Sequence, residues 1–384
     1  MMNKPTLLYV SPFWPQKSGI SEYSEMLVPG LVELFDVTLL TKGSEINNED
    51  IKNIAKVRFY DPEEDYSGYD YIIYNFGNNP GYHDYMYHML LKYPGYVILH
   101  DVSLYYLAVD HFCATNSVFT EIYRMHGARG ICTIKEAIRN GYPSNLLYIK
   151  TVASELLMNH DILEGASGIF VHSDSARKMV LESVPRTNVK VINIVLPVVE
   201  YDKNKKQEFR RQYGLSEEDF VIGSIGYISN TKMNEEICLA VKRYNASHDR
   251  RIKYIMIGEG NCVDQYLDEY IIKTGFVDDT YFLPAIDSCD MVFNLRKLYN
   301  GESSYTLMQS LALGKTCIVS DIGWFSEFPD DCVCKLEETT EDTIYDILNK
   351  TVDQISENEA GKEYVNRFFS KEAVAESIYH WMVG

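Results

Sequence analysis

Short apolar runs, separated by stretches of helical periodicity, recur from one end of the chain to the other. Residues 6–10, 37–40, 71–75, 96–100 and 168–172 are near-continuous apolar segments of strand length. Runs of this kind, unlike alternating ones, predict parallel strands covered on both faces. Between them, residues 21–31, 152–163 and 176–183 carry apolar positions at helical spacing and are predicted helices. A strand over 189–197 runs into a lysine-rich polar stretch. A second series then starts at 221–225 and continues with strands at 254–257, 291–294 and 317–319. Residues 371–382 form a terminal amphipathic helix. The pattern predicts an α/β protein with two doubly wound domains in tandem, which suits 384 residues, more than one hydrophobic core normally serves.

Composition narrows the function classes. Hydrophobic residues make up 46% and charged residues 24%, the balance of a globular enzyme. A formal net charge of −19 excludes broad nucleic-acid binding and disfavours long-range attraction to an anionic membrane. The local basic segments at Lys203, Lys205, Lys206, Arg210 and Arg211, and at Arg250, Arg251 and Lys253, read as solvated helix ends. The eight cysteines form no zinc-type pair and are expected to be reduced, mostly buried thiols. With no apolar run long enough to span a bilayer and no cleavable signal pattern, the chain is expected to be cytoplasmic. Most of the thirty tyrosines are expected to serve packing, with some able to stack on sugars.

In doubly wound sheets, ligands bind beyond the carboxyl ends of the strands, so the polar residues that matter should lie in those loops. The most informative stretch is residues 301–321. A polar loop with Glu302 precedes a helix carrying Leu307 and Leu311, Gly314-Lys315 closes that helix, and a buried strand follows. Backbone amides of Ser303, Ser304 and Tyr305 at the helix start would suit a diphosphate, and the neighbouring carboxylate would suit sugar hydroxyls. The competing reading is an acidic, serine-capped first turn. In the segment Gly226 to Lys232, with Asn230 and Thr231, a lysine near a helix start conflicts with the helix dipole unless an anion binds there. Arg296, at the end of the 291–294 strand, is either a second cation for that anion or half of a local ion pair. In the first half, Ser18-Gly19 opens a helix without a dinucleotide fingerprint. His100-Asp101 ends a strand where the histidine can donate a hydrogen bond and Asp101 can orient it. Asn78, His83 and His172 occupy comparable loops and are either functional or structural.

Taken together, SPFWPQKSGISEYS, NFGNNPGYH, LHDVSL, VHSDSA, GYISNTK, MIGEG, NLR followed by GESSYTLMQSLALGK, and SDIGWFSEFPD make the chain resemble the retaining glycosyltransferases of family four. The resemblance implies the GT-B fold, two doubly wound Rossmann-like domains facing across a cleft. Residues 1–188 would bind the acceptor, 189–367 the nucleotide-sugar, and 368–384 would form a helix crossing back to the first domain. It further implies that Lys232 neutralises the donor diphosphate and Glu302 contacts the donor sugar, while the amides after Glu302 bind phosphate. His100 would lie near the anomeric carbon, and the Ser18-Gly19 loop, Asn78 and Asp101 would form the acceptor or phosphate side. Gly226, Asn230, Thr231, Arg296, Ser303, Ser304, Tyr305 and Gln309 would complete the donor site. No metal and no cofactor beyond the donor are expected. The acceptor would be a glycan, a lipid-linked glycan or a protein, with surface polysaccharide assembly as the context and peripheral contact with the inner face of a membrane compatible with it. Two departures stand out. Counting back from Gly314 puts Gln309 at the position of the family's second glutamate and Gly301 at that of the first, so Glu302 is offset by one. The arginine usual before the lysine is absent, with Tyr227 near its place. A nucleotide-sugar epimerase or hydrolase would need a carboxylate pair that is not evident. A non-catalytic protein that binds a glycan or a partner glycosyltransferase is the alternative that the altered glutamates favour.

Overall fold

The computed structural model describes residues 4–43, 45–140, 150–299 and 301–384. Its strands form two fully parallel sheets. The first contains β1 (Thr6–Val10), β2 (Asp36–Thr41), β3 (Lys56–Phe59), β4 (Tyr71–Phe76), β5 (Tyr96–Leu99), β6 (Gly168–Val171) and β7 (Val189–Val191), in the order β3-β2-β1-β4-β5-β6-β7. The second contains β8 (Phe220–Ile225), β9 (Ile252–Ile257), β10 (Ile271–Lys273), β11 (Met291–Asn294), β12 (Thr316–Ser320) and β13 (Cys334–Leu336), in the order β10-β9-β8-β11-β12-β13.

The central strands are apolar throughout because both faces are covered. Leu7, Leu8, Tyr9 and Val10 of β1 are all buried, and so are Val221 and Ile222 of β8. The edge strand β3 instead alternates Lys56 and Arg58 with apolar residues, which leaves charge on an edge that would otherwise invite pairing. Each sheet reverses its strand order at one point, between β1 and β4 in the first and between β8 and β11 in the second. Loops diverge at such a point and leave a crevice at the carboxyl ends.

By contacts, Met1–Val195 and Lys371–Gly384 form one compact unit, and most of Leu196–Ser370 forms another. Strand β7, which begins at the expected boundary of residue 189, belongs to the first sheet, so the first unit runs on to Val195. The terminal helix Lys371–Val383 packs on the helix Gly19–Leu34. A Cβ at Gly30 would sit 2.5 Å from the Lys371 carbonyl oxygen, so the close approach requires glycine. Trp381 lies edge-on to Phe170, with ring centroids 4.8 Å apart, and Phe35 meets Tyr379 at 5.2 Å.

One predicted element is corrected. Residues 152–163 do not form a single helix; short helices Lys150–Ala153 and His160–Gly165 flank an irregular connection. Met158 adopts φ 50°, which no right-handed helix accommodates. The next side chain, Asn159, donates to the Val102 carbonyl at 2.8 Å and accepts from Ser183 Oγ at 2.7 Å. Leu156 and Met158 are buried, so a connection threaded through the core imitates helical spacing.

Candidate functional site

In the second unit the candidate residues gather at the strand-order reversal. The loop after β8 is pressed onto the loop after β9: Gly226 N donates to the Ile257 oxygen at 2.9 Å, and Ile228 N to the Glu259 oxygen at 2.7 Å. The approach is so close that a Cβ on Gly258 would lie 2.2 Å from the Gly226 oxygen, and Gly258 has φ 151°. Gly226 itself has φ 100°, and a Cβ there would lie 2.5 Å from Lys232 Nζ. Glycine at 226 is therefore what lets the lysine fold back over the strand end. Its Nζ donates to the Ile225 carbonyl at 3.1 Å.

The turn carrying Lys232 is held from beneath by Asn234. This buried carboxamide accepts from Ser229 N at 3.0 Å and donates to Ser224 Oγ at 2.9 Å and to Tyr254 Oη at 2.8 Å. Met233 between them is left-handed, with φ 58°, a strained conformation for a side chain of its size. Asn230 and Thr231 are exposed on the turn. The Thr231 oxygen accepts from Lys297 N at 2.9 Å and so ties this turn to the loop after β11.

Arg296 lies in that second loop. Ser320 Oγ accepts from its backbone N at 2.7 Å and donates to its carbonyl at 3.0 Å. Its guanidinium donates to the Leu295 oxygen at 2.8 Å and sits 5.1 Å from the centre of the Phe325 ring. Burial, and secondly the positive charge of Arg296, push the Lys232 ammonium down to about 8. Among the described residues no carboxylate lies within ion-pair distance of Lys232. The lysine is thus held beside a like charge, an arrangement that a bound anion would stabilise.

The helix beyond this loop runs Tyr305–Ala312, with Ser304 as its cap accepting from Leu307 N at 3.3 Å. Ser303 therefore lies outside the helix start, and the first-turn amides are those of Ser304, Tyr305 and Thr306, one position later than expected. Serine can cap at either position. Asn294 decides between them, because its Nδ2 donates at 3.1 Å to both Ser304 Oγ and Thr306 Oγ1. Its Oδ1 is buried with no hydrogen-bond partner among the described residues. Gln309 lies a turn further on, with 9% of its surface exposed. Glu302 is half-buried two residues before the cap.

In the first unit the reversal between β1 and β4 is flanked by the loops ending at Gly19 and beginning at Gly77. Ser18 caps its helix by accepting from Ile20 N at 3.2 Å, and a Cβ on Gly19 would meet nothing within 4 Å, so packing within the chain does not demand glycine there. Asn78 Oδ1 accepts from Tyr106 N at 2.8 Å and Leu107 N at 3.2 Å and thus caps the helix Tyr105–Ala114. Asp101 does not orient His100. Its carboxylate turns to the backbone N of Asn78 at 2.9 Å. His100 is held by Asn75 Oδ1, 3.2 Å from its Nε2, and by His172 Nε2, 3.3 Å from its Nδ1. Tyr23 presents its ring edge to both imidazoles, with centroids at 4.7 Å and 5.4 Å. Burial holds His100 well below the ordinary imidazole range and takes His172 and His83 down to about 4.

Residue types and motifs therefore located the cations, but not Asn75, Asn234, Ser320 or Phe325, which position them. A buried asparagine leaves no periodic trace. The one available cue was that Asn75 and Asn294 interrupt apolar strands at their carboxyl ends.

No family model matches the chain, and no curated protein matches it in sequence. Solved structures do match its fold over nearly its full length. Anabaena HepE in complex with UDP aligns over 98% of this chain and 99% of its own, with TM-score 0.64 and 14% identity. Sucrose-phosphate synthase from Thermosynechococcus elongatus aligns over 98% of both chains, with TM-score 0.61 and 14% identity. WaaG, a glycosyltransferase involved in lipopolysaccharide biosynthesis, aligns over 98% of this chain and 100% of its own, with TM-score 0.60 and 11% identity. The chain thus has the architecture of GT-B glycosyltransferases, two parallel-sheet Rossmann-like units.

Proposed function

We propose that the protein is a retaining glycosyltransferase of family four that moves a sugar from a nucleoside-diphosphate sugar to a hydroxyl group. The observation that carries this reading is Lys232, a partly buried cation beside Arg296 with, among the described residues, no carboxylate in ion-pair distance. UDP bound to HepE, a chain of the same fold, supports a nucleotide as the anion. Lys232 and Arg296 take the charge that develops on the departing diphosphate, and the amides at the start of the helix Tyr305–Ala312 add donors there. Gly226, Asn230, Thr231 and Ser303 shape the same pocket, Gln309 serves the donor ribose, and Glu302 serves donor sugar hydroxyls.

In the transfer the bond from the anomeric carbon to the diphosphate oxygen breaks, and a bond to the acceptor oxygen forms on the same face. The acceptor proton passes to the departing phosphate. His100 contributes a fixed, neutral wall near the anomeric carbon and relays no proton in the transfer, because both its nitrogens are bonded internally. Ser18, Gly19, Asn78 and Asp101 form the acceptor side. Side-chain cations and helix amides take the role a metal would have. The acceptor is a glycan, a lipid-linked glycan or a protein in surface polysaccharide assembly, reached from the cytoplasm. Among the described residues no helix is long and apolar enough to cross a membrane.

A second reading, a non-catalytic GT-B protein, draws on Gln309 standing where the family has a carboxylate. One experiment separates the two. Thermal shift and calorimetry against UDP, GDP, dTDP, ADP and CMP should show one diphosphate stabilising the protein selectively, with the effect lost in Lys232→Ala. Binding by none of the five would overturn the transferase.

A further inference from the structure

The histidine pair of the first unit permits a proton inventory. A backbone carbonyl only accepts, so the Ile192 oxygen, 3.3 Å from His172 Nδ1, requires a proton on that nitrogen. A neutral His172 then carries its lone pair on Nε2, and the 3.3 Å contact with His100 requires a proton on His100 Nδ1. A neutral His100 in turn carries its lone pair on Nε2 and needs a donor from Asn75, 3.2 Å away. With Oδ1 towards His100 the three contacts are satisfied only if the two rings share three N–H groups and a net positive charge. The two ends of a carboxamide have the same shape, so exchanging them leaves the packing unchanged.

The exchange gives up one weak bond, Asn75 Nδ2 to the Val10 oxygen at 3.4 Å, and turns the carboxamide oxygen towards that carbonyl instead, a cost to set against a buried positive charge. The Tyr9 hydroxyl then accepts from Nδ2 and donates to Ser24 Oγ at 3.2 Å. The titratable groups facing the pair are Tyr9 through Asn75, Tyr23 by its ring edge, His83 and the adjacent Asp101, whose carboxylate is engaged with Asn78. Among the described residues no carboxylate contacts either ring to hold a positive charge, and burial disfavours one, so the neutral arrangement wins.

We propose that His172 and Asn75 are positioning residues that lock His100 as the neutral ring with its proton on Nδ1, the Asn75 carboxamide presenting its NH2 group to Nε2. This rests on the transferase reading in one respect only: a neutral ring does not oppose the positive charge that develops at an anomeric carbon, whereas an imidazolium would.

The test is long-range 1H–15N correlation NMR on the full chain labelled at histidine, at pH 7.5. The wild type should show His100 protonated at Nδ1 alone. In His172→Phe the proton should move to Nε2, where Asn75 Oδ1 can accept it; in His172→Gln, which keeps an acceptor, it should stay on Nδ1. A wild-type ring protonated at Nε2 or at both nitrogens, or an unchanged tautomer in His172→Phe, overturns the proposal. Should His172→Phe fail to fold, Asn75→Asp decides, since a carboxylate there should protonate both nitrogens of His100, and a ring that stays neutral refutes the assignment. As a kinetic readout, His172→Phe should lower kcat without changing the donor KM, and His172→Gln should restore it. The NMR result needs no substrate. Failure of the wild type to bind any nucleotide would sink the transferase reading and leave the tautomer standing.

Discussion

The two units reverse the same kind of parallel sheet at one point and place opposite chemistry there. In the first, imidazoles, carboxamides and hydroxyls satisfy one another through Tyr9, Ser24, Asn75, His100 and His172, and burial keeps the rings neutral. In the second, glycines bring two loops together so that a lysine is held against a carbonyl beside an arginine, with its own charge uncompensated by any carboxylate among the described residues. A self-satisfied network fixes shape, whereas a strained cation marks where a ligand completes the structure. On the proposed function, the difference assigns binding energy to the second unit and geometric definition to the first.

The largest way to break the contrast is to separate the two loops of the second unit. In Gly258→Ala the new Cβ meets backbone 2.2 Å away at φ 151°, and no rotamer relieves it. We expect a loss of more than about 3 kcal/mol confined to the second unit. Denaturation should show a separate early transition, with the first unit's amides protected in hydrogen exchange as before. A single unshifted transition would show that the close approach is not needed.

Lys232→Met should act in two directions at once. Its stem is kept and its strained charge removed, so the unliganded protein gains stability while the diphosphate loses a charged partner. The ammonium titrates at about 8 in the fold against 10.5 when solvated. A depressed lysine penalises the fold fully below the lower value, and the penalty fades as pH rises to the higher one. The gain is therefore about 2–3 kcal/mol at pH 7 and vanishes near pH 10.5. Diphosphate affinity should fall about 10- to 100-fold, as for a lost charged hydrogen bond. Calorimetry of the wild type at pH 8 should also register proton uptake on binding, absent at pH 6.5. Equal stability of wild type and variant at pH 7 would mean that the lysine is solvated.

The central strands were legible because buried parallel strands are apolar without interruption, whereas the short outer strands β3, β10 and β13 were not read from the sequence. The neighbourhood of Gly226, Lys232 and Arg296 was legible too, because a cation at a helix start is an electrostatic anomaly visible in one dimension. The start of the helix at Tyr305 was off by one position, since Ser303 and Ser304 are equal candidates until Asn294 engages one of them. Asn78 illustrates the other limit: the helix it caps begins 27 residues later, at Tyr105, and only folding brings that amide end to it. The supports of both sites, Asn75 and Asn234, act through tertiary hydrogen bonds with no local signature.

Acid should sharpen the contrast. His172 and His83 are taken down to about 4 from an ordinary 6.5, so the unfolded chain binds protons that the fold refuses. Stability of the first unit is complete above pH 6.5 and is lost as pH falls towards 4, by up to about 3 kcal/mol per independent histidine and less for a coupled pair. Unit-resolved unfolding at pH 7 and pH 5 should show the first unit weakening in that interval by about 2 kcal/mol per independent histidine. Equal weakening of both units would remove the histidines as the cause.

The smallest expected effect concerns how Arg296 is kept beside Lys232. Its guanidinium lies 5.1 Å from the Phe325 ring centre, and a cation over a ring face is worth about 0.5–1 kcal/mol where solvent reaches it. Phe325→Leu keeps a large apolar side chain and removes the ring face. Packing is also lost, so stability alone cannot identify the cause. Affinity can, because a leucine that merely loosens the core should leave the salt dependence of diphosphate binding unchanged. If the ring holds the guanidinium at the anion, affinity should fall about two- to five-fold, and the decline of affinity with added salt should become shallower, because one cation is less well placed. A variant with weakened stability and wild-type affinity and salt response would assign Phe325 to the core alone.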